Sequence, residues 1–171
     1  MISSDILDTV SQFIDAPRQA NYALFLEAAV DPVFTCVTSH KMICDLVPGI
    51  QNVSVQETET GTIRCCDYGN DMLLQERIVL WKPPNYFAYQ ALTPNPFGLW
   101  NHLALISCQA NGSGTTLTWR HYFEHDDLQA MNLMIDDMFG VMWLKLIDRF
   151  GGYSLSVGSL ALDDLCNPAP H

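Results

Sequence analysis

At 171 residues the chain has the length of one domain, and a domain of this size buries about 70% of its unfolded surface. Hydrophobic residues make up 49% and charged residues 16%, so there is ample material for a core. Nineteen acids against eight bases leave a formal charge of −11, which argues against nucleic acid and anionic membrane surfaces as partners.

Residues 4–14 read as a short helix, with Ser4 as N-cap and Ile6, Val10 and Ile14 at helical spacing, ended by Pro17. A strand is expected over Asn21 to Val30. Asp31-Pro32 then reads as N-cap and first residue of a helix reaching His40, and a second short helix ends near Leu46 before Pro48-Gly49. Strands follow at 51–59, 61–68 and 71–82. After Pro83-Pro84 comes a strand at 86–93, broken by Asn95-Pro96. A hairpin pairs 99–110 with 115–124 across Asn111-Gly112-Ser113-Gly114. Asp126-Asp127 open the longest helix, which Gly151-Gly152 close near Phe150. The domain reading is an extension over 1–18, one ligand-binding domain over 19–152, and a tail over 153–171, docked or frayed.

The first residues carry no basic region followed by an apolar run, so no secretory signal is expected. No stretch approaches the ~20 apolar residues of a membrane span. Cys36, Cys44, Cys65, Cys66, Cys108 and Cys166 form no C-x-x-C pair, and read as free thiols in a reducing cytoplasm. His121-x-x-x-His125 fails as a metal pair, because four strand residues span about 13 Å while metal–nitrogen bonds are ~2 Å. No phosphate-binding loop, dinucleotide fingerprint or nucleophile elbow is present, so neither metal nor nucleotide cofactor is expected.

Strand parity selects candidate site residues. In 71–81 the even positions Met72, Leu74, Glu76, Ile78 and Leu80 are apolar apart from one carboxylate, and are expected to face inward. Burial there favours a protonated Glu76 that acts on a ligand; the alternative is a structural partner for an arginine such as Arg64. In 115–124, Leu117, Trp119, His121 and Phe123 share the inner face, and the face of Arg120 and Tyr122 reads as solvated. His121 is then a proton-transfer candidate near neutral pH, or a satisfied core histidine. Tyr89 shares a face with Phe87 and offers a hydroxyl to a ligand or only packs. His102 is a minor candidate without an assigned orientation. Met131, Met134, Met138 and Met142, joined by Ile135, form one stripe of the long helix, either as core or as an adaptable ligand wall. Asp136 and Asp137 read as surface charge.

The element order gives an α+β domain in which a curved antiparallel sheet wraps a long C-terminal helix. With Glu27-Ala28-Ala29-Val30-Asp31-Pro32-Val33-Phe34, Val47-Pro48-Gly49-Ile50, Gly61-x-x-Arg64, Glu76-Arg77-Ile78, Pro83-Pro84, Tyr89, Gly114-Thr115 and Trp119, the chain resembles the START-related (SRPBCC, helix-grip) superfamily. That superfamily includes pollen allergens, aromatic polyketide cyclases and lipid-transfer domains. The resemblance covers about residues 20–150. It implies a ligand held between the sheet's concave face and the C-terminal helix. Two functions stay open on this reading. One is binding of a small, largely apolar polyketide, terpenoid or lipid. The other is a cyclase or dehydratase, a lyase or isomerase in class, that uses His121, Glu76 and Tyr89 as acid–base groups and Arg64 as a clamp. A co-chaperone-like interaction module is a third and weaker reading. A monomer or homodimer is expected.

Overall fold

The computed structural model describes residues 18–155, together with Asp8 and Ser11. Apart from Asp8 and Ser11, the expected N-terminal helix lies outside the described residues, as does Cys166. Strand β1 (Arg18–Leu26) is followed by helices α1 (Val30–Thr38) and α2 (Ile43–Leu46). Next come β2 (Asn52–Thr58), β3 (Gly61–Asp67), β4 (Leu73–Lys82), β5 (Tyr86–Ala91), β6 (Trp100–Asn111) and β7 (Gly114–Glu124). Helix α3 (Leu128–Phe150) and a short β8 (Gly152–Leu155) complete the described chain. The strands form one antiparallel sheet in the order β2-β3-β4-β5-β6-β7-β1-β8. This is the helix-grip architecture: the sheet curls around α3, while α1 and α2 close its side.

Several boundaries move for local reasons. Val30 opens α1 instead of ending β1, and Ala29 takes the N-cap position without a side-chain bond. Asp31 therefore sits in the first turn, where its charge suits the helix dipole. Asp127 caps α3 by accepting from the Ala130 amide at 3.0 Å. Gly151 at its other end has φ +71, a conformation open to glycine. The first residues after Gly151 add β8 to the edge of β1, with Phe25 opposite Tyr153.

The principal core lies between the concave face and the helices, where Phe34, Phe87, Trp119, Phe139 and Met142 are buried. Two departures from strand parity shape it. Between Ile78 and Leu80 the β4–β5 register shifts, with Ile78 opposite Tyr89 but Leu80 opposite Ala88. Val79 is the extra residue, so Leu80 turns to the convex face and Trp81 takes the concave side against Phe34 and Phe87. The expectation that Leu80 shares a face with Glu76 is corrected by that bulge. On the convex face, Leu80, Ala88, Leu103, Leu105 and Tyr122 form a second, smaller cluster. The face expected to be solvated at Arg120 and Tyr122 is thus buried there.

Candidate functional site

A cavity of about 430 Å³ lies between the concave sheet and α3, within the ~300–1,000 Å³ range of small-molecule sites. Arg64, Glu76, Tyr89, Ala91 and His121 line its floor from two rows across the sheet. One row across the sheet runs Ile78–Tyr89–Ala104–His121–Ala20, and another runs Arg64–Glu76–Ala91. Met131, Met134, Ile135, Met138 and Met142 line the opposite wall from α3. Met134 and Val141 are both lining and exposed, which places the mouth between α3 and the α2–β2 segment. Lys145 ties α3 to α2 by donating to the last carbonyls of α2, to Asp45 at 2.6 Å and Leu46 at 3.4 Å.

Arg64 points inward, 2% exposed, and donates through Nε to Glu76 at 2.7 Å. Burial alone would lower the guanidinium's pKa; the Glu76 carboxylate outweighs it and holds it above its ordinary value. Glu76 also accepts from the Cys66 thiol at 3.5 Å. It is therefore half of a buried ion pair with Arg64, the structural alternative. Arg64 lies over the Tyr89 ring at 4.9 Å, and its Nη1 has no partner. Tyr89 is buried, and its phenol is held well above the usual range, by burial first and then by Glu76. It stays protonated, a hydroxyl and not a base.

His121 is 6% exposed, lines the cavity, and is walled by Trp119 and Phe139. Burial first, and His102 second, hold its pKa well below the ordinary value. The imidazole is thus held neutral near neutral pH. His125, its sequence neighbour in the failed metal pair, instead bonds the backbone of Asp127. Among the described residues no cluster of three or more His, Cys, Asp or Glu is placed to hold a metal.

His102 is the residue that sequence parity left unoriented. The β6–β7 register shifts between Trp100 and Leu103, and Asn101 there adopts φ +46. His102 faces inward with Ala104, Ile106 and Cys108 by ordinary strand alternation, and its Nδ1 accepts from the Ala91 amide at 2.9 Å. Its Nε2 meets His121 Nδ1 at 3.2 Å. Burial pushes its pKa down to about 4.

Three expected binding residues stand elsewhere. Met72 precedes β4 at 37% exposure, because the Gly69–Met72 turn ends the ladder before it. Ile78 packs on the core beside the bulge, and Phe123 is fully buried near the end of β7; neither lines the cavity. Leu74 and Trp119 do. Asp137, expected as plain surface charge, is exposed yet lines the mouth, while Asp136 accepts from the Tyr22 hydroxyl. The unforeseen lining includes Val47, Pro48, Tyr68, Phe97 and Leu99. Their loops carry no periodicity, and only the aromatic and proline content around Pro94-Asn95-Pro96-Phe97 marked that stretch.

No protein-family model matches this sequence, and no curated protein matches it. Solved structures do. The di-domain ARO/CYC StfQ from the steffimycin biosynthetic pathway is 15% identical, with a TM-score of 0.55 over 85% of this chain and 49% of that one. Ara h 8.0201 is 12% identical, with a TM-score of 0.55 over 77% of this chain and 98% of that one. The Aha1 dimer from Colwellia psychrerythraea is 12% identical, with a TM-score of 0.61 over 78% of this chain and 96% of that one. The chain thus has the fold of the START-related, helix-grip superfamily. At these identities the likeness is one of fold, and function rests on the site. No helix among the described residues is long and apolar enough to cross a membrane.

Proposed function

We propose that this protein binds a small, largely apolar molecule of the polyketide, terpenoid or lipid type in the cavity between sheet and α3. The observation that carries this reading is the pairing of an apolar hollow with unpartnered donors. Arg64 Nη1 and His121 Nε2 are buried without a hydrogen-bond partner, and both residues line the cavity. A buried donor left unpaired costs about 1–3 kcal/mol, so two beside one hollow are accounted for by an acceptor-bearing guest. Native mass spectrometry of freshly purified protein tests the reading. A discrete adduct that organic extraction removes is expected; a bare chain that also takes up no apolar compound would refute it.

A catalytic reading uses the same cavity and is favoured by the fold shared with an ARO/CYC protein. Enclosure of a flexible polyketide against shaped walls would supply most of the rate, with Tyr89 and His121 polarising a carbonyl. An enzyme loses turnover in His121→Ala while still binding substrate; a carrier returns its ligand unchanged. The five free cysteines among the described residues support a reducing, cytoplasmic setting. Monomer and homodimer are equally compatible with this reading.

A further inference from the structure

The two cavity histidines have a fixed direction. A backbone amide can only donate, so the Ala91 N–H engages His102 Nδ1 as an acceptor. The single ring hydrogen of a neutral His102 then resides on Nε2, the atom that faces His121 Nδ1 at 3.2 Å. His121 therefore accepts at Nδ1, and its own hydrogen resides on Nε2. That nitrogen is buried, unpartnered and on a ring that lines the cavity. The low proton affinity of both rings agrees with two neutral imidazoles in series.

The other polar groups at this end have the same sense. The Trp119 indole is a donor only, and it lies beside the Tyr89 hydroxyl without closing a full hydrogen bond. The Tyr89 oxygen thus faces a donor, which leaves its hydrogen free to point into the hollow. Glu76 is the one carboxylate in the cavity interior, and Arg64 and Cys66 both engage its Oε2.

We infer that His102 is a positioning residue: held by the Ala91 amide, it locks His121 as an Nε2–H donor, so that the site selects a ketone or quinone carbonyl over the matching alcohol. This inference rests on the binding reading above and deepens it by naming the buried end of the ligand. A carbonyl oxygen satisfies two donors and brings no hydrogen. An alcohol of the same shape brings a hydrogen that the Nε2–H of His121 cannot accept. A carboxylate is disfavoured for a different reason, since the Arg64 charge is already matched by Glu76.

Fluorenone, fluorenol and fluorene test this, because they share one ring system and differ only at the central carbon. Affinities are read by quenching of tryptophan fluorescence in the full chain and taken as ratios to fluorene, which cancels changes in the apolar walls. Wild type should prefer fluorenone over fluorenol by about tenfold, the weight of one or two unpaired buried donors. His102→Leu should bring the two ratios together, because His121 is then free to move its hydrogen to Nδ1. His102→Gln, with an acceptor and a donor of its own, should keep most of the preference. Nitrogen NMR of labelled histidine should show both rings as Nε2–H tautomers in wild type. A wild type without ketone preference, a preference that survives His102→Leu intact, or an Nδ1–H His121 overturns the inference and leaves the binding reading standing. If none of the three probes binds, both fall.

Discussion

Glu76→Gln is the most revealing single change in this cavity. The carboxylate lies 2.7 Å from Arg64 Nε, with the two side chains 7% and 2% exposed. The substitution keeps the shape and removes the charge, which leaves a guanidinium buried with its counter-ion gone. Breaking a buried pair from one side costs roughly 3–5 kcal/mol, whereas replacing both partners with apolar groups is often neutral or stabilising. The loss of the Cys66 contact adds little, since thiols are weak donors. Urea unfolding followed by circular dichroism should therefore show Glu76→Gln less stable by about 3–5 kcal/mol. The double variant Arg64→Met/Glu76→Leu should recover to within about 1 kcal/mol of wild type. A loss below about 1 kcal/mol in the single variant would refute the reasoning, because it would mean that water or another anion compensates Arg64.

The remaining predictions concern acid stability, backbone packing and the mouth. Burial holds the folded His102 imidazole down at about 4, against an ordinary 6.5, so the folded state resists a proton that the unfolded chain accepts. Its contribution is intact above the unfolded value and is lost as pH falls from 6.5 toward 4. Between about pH 7 and about pH 4.5 the loss is about 2–3 kcal/mol, and His102→Leu should show an acid destabilisation smaller by that amount. An unchanged acid profile in the variant would contradict this. At Gly114 a Cβ would collide with the Leu26 carbonyl and the Phe25 ring. Gly114→Ala should lower stability by about 1–3 kcal/mol in the same urea assay, and a neutral result would mean that β1 yields. Burial pushes the Cys108 thiol up to about 12 and raises that of Cys66, so both should resist thiol reagents in the folded state while half-buried Cys44 and Cys65 react faster.

How much of this was legible before the structure follows from where periodicity operates. Gly114-Thr115 and Trp119 in a clean alternating strand placed His121 on the concave face, and parity in β4 placed Leu74 and Glu76 there as well. Parity fails at a bulge. One inserted residue at Val79 sent Leu80 outward, while apolar residues on both faces of β6 hid that His102 shares the concave side with Ala104, Ile106 and Cys108. The methionine stripe of α3 was visible as spacing, and its four members line the hollow. Helix spacing could not assign Asp137, because a helix face at a cavity mouth is both solvated and lining. The loop residues Phe97 and Leu99 escaped for the usual reason that loops obey turn chemistry, here the bonds from the Asn95 side chain to the Leu99 backbone.

The claim at the centre is that the space under α3 is an empty, usable container for an apolar guest. Titration with the fluorescent apolar probe N-phenylnaphthylamine measures that directly in wild type and in Met138→Trp, which sets a bulky ring into the hollow. Saturable enhancement at one probe per chain, abolished by Met138→Trp in a protein that still unfolds cooperatively, is the expected result. Enhancement that persists unchanged with the indole in place, or no uptake by wild type, would contradict it.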